Sequence, residues 1–371
     1  MARQPSIDIL RAVAIVLMVL VHFVENLSGW YDDGDGPFAG VHGVWWLPTG
    51  FAAPTFTFLV GVSYRLWLDA QRARGCDEES IHRRTVRRGL FLFGLGLAFN
   101  ALVWLPEDIF NWDILTLIGC GLLSLDVARR MPAGVVALAA GLFVAVAPAL
   151  RATADFPAYW TLGYYDYDFT VADVALGWLV TGYFPIFPWL AFPLAGYLLA
   201  AQLLGRTGRL PWFASGAALM ALGLALMVAW PALPRTLTGG AALAWTMFPA
   251  STAYVAGTLG GASLSLGLLH RLVDGQPPRT GLVGWLAAWA GPLGRHSLSI
   301  YLVHHAVHIW PLWAAGLATS GEPTALWQVA TPPAASLALA VAFVVAAAVA
   351  CRWADGRRLP TAETLMRRLC G

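Results

Sequence analysis

The apolar residues of this chain fall in blocks of about twenty, matched to the thickness of a bilayer and too long for strands or ordinary core helices. Backbone inside a bilayer has no water to bond, so such blocks fold as helices that satisfy their own N–H and C=O groups. With 58% of 371 residues hydrophobic and only 12% charged, the expected fold class is an all-α polytopic membrane protein. Ten spans are expected: Ile7–Leu27, Leu47–Leu68, Val86–Leu105, Ile114–Val127, Pro132–Leu150, Tyr183–Leu203, Pro211–Trp230, Met247–Leu269, Leu293–Trp313 and Ala334–Arg352. No soluble domain or internal repeat is visible, so residues 1–371 read as one transmembrane domain.

All 23 basic residues are arginine. Threaded through ten spans, all of them except Arg151 and Arg235 fall on one side, which the positive-inside rule makes the cytoplasm, with both termini there. Arg11 interrupts what would be the apolar core of a signal peptide, so the first span is expected to be retained. Three cysteines (Cys76, Cys351 and Cys370) fall on the cytoplasmic side and Cys120 within a span, so no disulfide framework is expected. No nucleotide-binding glycine loop and no sign of nucleic-acid binding is present. The net charge of +2 selects no partner.

Charge inside a span needs a partner or a wet cavity. The stretch "ILRAVAIVLMVLVHF" carries Arg11 and His22. Asp8, one turn earlier, supplies an ion-pair partner for Arg11. Eleven residues at 100° each leave His22 about 20° from Arg11 around the helix and about 16 Å along it. One face therefore presents a cation at one end and an imidazole at the other, which suits an extended ligand with phosphates at the cytoplasmic end. Acyl-coenzyme A has that shape.

Arg11, ten residues and His22 at the start of a first span resemble the signature of the transmembrane acyltransferase superfamily, including acyltransferase family 3. "SIDILRAVAIVLMVLVH", "APTFTFLVGVSYR", "FPIFPWLAFPLAGYLL" and "GRHSLSIYLVHH" are similar to its heparan-alpha-glucosaminide N-acetyltransferase branch. The resemblance implies transfer of an acetyl group from cytoplasmic acetyl-CoA to a sugar or glycan-type acceptor across the membrane. It also implies an integral protein, expected in a bacterial cytoplasmic membrane, in contact with lipid. The essential histidine of that branch, in the first outer loop, matches His42 in "GVHGVWWLPTGFAAP". Where that branch carries asparagine this chain has His22, so it combines features of both branches. Oligomeric state stays open, a homodimer included.

Acyl transfer needs a base for the acceptor's proton and donors for the developing oxyanion. His42 as base, with His22 as its partner, oxyanion donor or second base, is the leading assignment, and a covalent acetyl-histidine is an alternative route. Asp113 is a third catalytic candidate, competing with a helix-capping role for which Asn111 is the better placed. His304 and His308 share a helix face with metal-like spacing, yet no carboxylate or cysteine cluster accompanies them, and no metal is expected. Arg11 and Arg65, with Arg84 and Arg88 from the arginine-rich loop, are candidates for the coenzyme A phosphates, against a topological or lipid-binding role for the loop. In the outer loop Trp160, Tyr164 and Asp166 form a candidate sugar site, against an interfacial aromatic belt. A transporter of a small anion and a non-catalytic scaffold are the competing function classes.

Overall fold

The computed structural model describes residues 4–28, 50–154, 170–204, 209–229, 245–274, 281–357 and 359–371. Apart from a bridge pairing Met247 with Ala250, the regular structure among the described residues is helical. Among the described residues seven helices are long and apolar enough to cross a membrane. By chain contacts the molecule divides into two compact units: residues 54–268 with 369–371, and residues 2–53 with 269–368.

The first unit contains α2 (Ala52–Ala73, whose first two residues belong to the other unit), α3 (Glu78–Val103), α4 (Ile114–Ala128), α5 (Ala133–Thr153), α6 (Ala191–Leu204), α7 (Arg209–Ala229) and most of α8 (Thr252–Val273). Gly75, at φ +74°, makes the left-handed turn that closes α2, and Asp77 accepts the Ser80 N–H to cap α3. Helices α2 and α6 cross at backbone contact. A Cβ on Gly61 would sit 1.9 Å from the Pro193 carbonyl oxygen, and one on Gly196 would sit 2.1 Å from that of Phe58. With no solvent-driven force between apolar helices in lipid, this close approach provides the packing energy. Beside it Tyr64, Leu68, Ile81, Leu125, Val136 and Leu194 form a buried cluster.

The arginine-rich turn between α2 and α3 is pinned by its own ion pairs. Arg72 reaches Glu78 at 2.9 Å and Arg83 reaches Glu79 at 3.4 Å. Arg129, at the end of α4, binds both Glu78 and Asp126, and Asp126 also bonds His82 at 2.6 Å.

The second unit contains α1 (Pro5–Ser28), α9 (Gly281–Arg295), α10 (Ser297–Ser320), α11 (Pro333–Arg357) and α12 (Ala362–Cys370, whose last two residues belong to the first unit). Ser6 donates from its backbone N–H (2.9 Å) and hydroxyl (2.5 Å) to Asp274, which fixes the first turn of α1. Gly294 packs at backbone distance on Asp8, where a Cβ would meet the Asp8 carbonyl oxygen at 2.1 Å.

Two expectations change here. The span over Leu293–Trp313 is broken at His296, because Arg295 and His296 both bind Asp355, at 3.0 Å for the Arg295 Nε bond and 2.8 Å for His296. A reading of apolar runs passes through that junction, and it also misses α9, whose 15 residues read as loop between arginines.

Gly61→Ala should lower the thermal unfolding temperature in detergent, by overpacking of about 1–3 kcal/mol or more. Gly94→Ala, with nothing within 4 Å of the added carbon, should not. Equal melting of the two variants would contradict the backbone contact at Gly61.

Candidate functional site

Polar side chains meet where the C-terminal half of α1 packs on α10, inside the second unit. Helix α1 is apolar on its buried face through Ile7, Leu10, Ile15, Val19 and Val24, and this anchors it. His22 and Asn26, one turn apart, then project on one side. From α10, His304, His305 and His308 meet them, all three buried. The 304/308 spacing places those two rings on one face, as the sequence indicates, and their target is α1.

The hydrogen bonds run in one direction. His304 Nδ1 lies 3.0 Å from the Ile300 carbonyl oxygen, which can only accept, so Nδ1 carries the proton and a neutral ring leaves Nε2 as acceptor. His22 Nδ1 lies 3.0 Å from that Nε2 and therefore donates to it. A neutral His22 is left with its lone pair on Nε2. The second chain is built alike: His308 Nδ1–H donates to the His304 carbonyl at 2.6 Å, and Asn26 Nδ2–H donates to His308 Nε2 at 2.9 Å. Asn26 Oδ1 accepts from Trp327 Nε1 at 3.4 Å, and its backbone oxygen accepts from Gln328 N–H at 2.8 Å. The His305 ring packs 4.6 Å from His22 and 4.0 Å from His304, centroid to centroid. His22 alone of the four rings is not fully buried. The arrangement is a mostly buried imidazole, fixed in tautomer and orientation, with a basic nitrogen on Nε2: the requirement for a general base.

Ring nitrogens of His22, His304 and His305 lie within 4.8 Å of one another, near enough for a divalent ion to bridge. Such an ion would have to displace the proton shared by His22 and His304. Among the described residues no carboxylate or thiol joins the three.

Other expected site residues are distributed as follows. Arg11 reaches Asp8 at 3.8 Å and the Gly294 carbonyl at 3.4 Å, so the pairing with Asp8 is present but long. In the first unit, Arg65 binds both oxygens of Asp69 (3.1 and 3.0 Å) and lies over the Tyr197 ring. Arg84 donates to Gln71 at 3.0 Å, and Arg88 donates to the Gly371 carbonyl at 3.0 Å while covering Trp67. Asp113 is the N-cap of α4: its Oδ1 accepts from Leu115 N–H at 2.8 Å and Thr116 N–H at 3.3 Å. Asn111, expected as the better cap, instead follows a 3-10 turn at Pro106–Phe110. The reason is local, since only Asp113 has extended backbone immediately before Ile114. His42, Trp160, Tyr164 and Asp166 lie outside the described residues.

The model of the heparan-alpha-glucosaminide N-acetyltransferase catalytic family matches residues 3–229, more than half of the chain. The chain belongs to this family. Comparison with curated proteins returns no match. Membership makes it an integral membrane protein of an acetyltransferase family directed at glycans, in agreement with its apolar helices. The match contains Arg11 and His22 but ends before α10, so the histidines that hold His22 in this acetyltransferase lie beyond the matched segment.

Asn26→Ala should strip His308 Nε2 and Trp327 Nε1 of their partner and destabilise the protein by about 1–3 kcal/mol. Thermal unfolding in detergent should show this drop, and the exposed Val13→Ala should show almost none. Wild-type melting of Asn26→Ala would mean that the network carries no stability.

Proposed function

We propose that this acetyltransferase moves an acetyl group from cytoplasmic acetyl-CoA to an amino or hydroxyl group of a sugar or glycan-type acceptor on the opposite side of the membrane. Ten crossings, both termini in the cytoplasm, a single catalytic domain over 1–371 and residence in a bacterial cytoplasmic membrane complete the reading. The one-sided arginines support its orientation. The observation that carries the chemistry is the 3.0 Å bond by which His22 gives its Nδ1 proton to His304 and keeps Nε2 as a base.

Acetyl-CoA, when bound, supplies a thioester carbonyl open to attack. His22 Nε2 takes the proton from the attacking nitrogen or oxygen of the acceptor, and His304 Nε2 accepts from Nδ1–H throughout, steadying the imidazolium that forms. The proton then returns from Nε2 to the leaving sulfur. His42 is the second histidine of the reaction, as a further base or as the carrier of a covalent acetyl group. The capping bonds of Asp113 support a structural task, so proton transfer is assigned to the histidines. Trp160, Tyr164 and Asp166 are proposed to hold the acceptor, on the strength of their mixed aromatic and acidic composition. Among the arginines, Arg11 is preferred as the phosphate ligand for its position, on the side of α1 that carries His22 and about 16 Å from it along the helix. At Arg65, Arg84 and Arg88 a phosphate would compete with Asp69, Gln71 and the Gly371 carbonyl.

With purified protein, radiolabelled acetyl-CoA and paired amino and hydroxyl sugars, His22→Ala should lower kcat by roughly 10²–10⁴-fold while acetyl-CoA binding persists. His42→Ala should also keep binding and lose transfer, whereas Arg11→Ala should weaken acetyl-CoA binding. Full transfer by His22→Ala would remove it as the base, and unaltered affinity in Arg11→Ala would remove Arg11 from the donor site.

A further inference from the structure

Glu25 takes no part in the scheme above. It is the sole carboxylate in the apolar stretch Ile9–Leu27, three residues after His22. At 100° per residue it lies about 60° from His22 around α1, within reach of one turn, and about 40° from the direction of Arg11. It is partly exposed, while its neighbours Val24 and Asn26 are buried. Among the described residues no hydrogen bond or ion pair reaches it. A carboxylate embedded in a span is costly, and one without a resident partner calls for a cation from elsewhere.

The chain is poorly placed to provide that cation. It has no lysine, and Arg11 on the same helix is about 21 Å away along the axis. In the second unit Arg295 is held by Asp355, Arg352 lies over Trp289 and Arg357 over Trp353. Arg295 directly follows Gly294, which packs on Asp8 at the far end of α1. The segment that follows α1, residues 29–49, contains no arginine, and its only basic side chain is His42. Residues 155–169, in the candidate acceptor loop, contain none either; of the two arginines expected on that side, Arg151 donates to the Ala147 and Ala250 carbonyls and Arg235 lies outside the described residues.

We propose that Glu25 is the specificity residue that selects an amine-bearing acceptor, binding the ammonium of an amino sugar so that its nitrogen lies against His22 Nε2. The proposal rests on the acetyl-transfer reading and assigns it a residue for acceptor choice. Proton and charge balance at the site. The ammonium loses two protons: the first goes to His22 Nε2, leaving the N–H electron pair on nitrogen as the nucleophilic lone pair and the positive charge on an imidazolium beside the same carboxylate; that proton then passes to the leaving sulfur, and the second leaves the nitrogen for water as the amide forms. A hydroxyl acceptor brings no cation and leaves Glu25 without a partner, which disfavours it at this site.

The test uses the full chain in detergent with glucosamine and glucose as paired probes, read both by acetyl transfer and by ligand-induced thermal stabilisation. Wild type should be stabilised by glucosamine and much less by glucose. Glu25→Gln should abolish that selectivity and raise KM for glucosamine by roughly tenfold or more, with KM for acetyl-CoA unchanged. Glu25→Asp should restore part of it. Both variants should melt within a few degrees of wild type without ligand; a Glu25→Gln that unfolds is replaced by Glu25→Asp, whose weaker glucosamine selectivity is the expected result. Selective glucosamine binding without any acetyl transfer by wild type would refute the acetyltransferase reading while keeping Glu25 as the amine site. Undiminished glucosamine selectivity in Glu25→Gln, or equal losses for both sugars as a Glu25–His42 pairing would give, would overturn the proposal.

Discussion

A bilayer core offers no water to a polar side chain, so every such group in α1 and α10 must find its partner within the protein or in a ligand. The bond from His22 Nδ1–H to His304 Nε2 is the main consequence. It joins α1 to α10, fixes one tautomer in each ring and is backed by the Ile300 carbonyl, which no proton shift can turn into a donor. The parallel bond from Asn26 to His308 braces the same interface one turn further on and ties in the chain at Trp327 and Gln328. Buried polar networks of this kind stabilise only when every member is satisfied, and here the directions of donation agree along both chains.

The placement of the charge follows from the same constraint. Arg11 sits near the end of α1 where Asp8, Gly294, Arg295 and Asp355 already form a polar zone, so its cost is low. His22, toward the other end of α1, is matched by other imidazoles rather than by a carboxylate, which leaves it a base instead of a fixed cation. Glu25 is the one acid of α1 at that end of the helix. A helix with a cation at one end and a base and an acid at the other is poorly explained by packing alone, and it fits an extended donor meeting a cationic acceptor.

Much of the fold was legible because bilayer thickness is a long-range regularity that a linear reading detects. The residues of α1, α5, α7 and α11 fall where apolar length puts them. The polar face of α1 was legible too, since Arg11 and His22 share a direction by helical arithmetic. What stayed hidden depends on contacts distant in sequence. The 304/308 stripe showed a shared face but not that it meets His22, and the break at His296 depends on Asp355, some sixty residues away. The capping role went to Asp113 rather than Asn111 because backbone conformation decides it, and residue type alone does not. Glu25 escaped notice because an acid near the end of a span reads as a boundary residue. Its lack of a partner emerges only once its neighbours are in place.

The central claim is that His304 fixes His22 with its proton on Nδ1 and a lone pair on Nε2. Nitrogen-15 NMR of histidine-labelled protein, in detergent or lipid, with the His22 resonance assigned by its loss in His22→Ala, reads this tautomer directly. The account predicts a protonated Nδ1 and a bare Nε2 for His22 at neutral pH, giving way to a mixture of tautomers in His304→Ala. A His22 protonated on Nε2 in wild type, or a tautomer indifferent to His304, would contradict it.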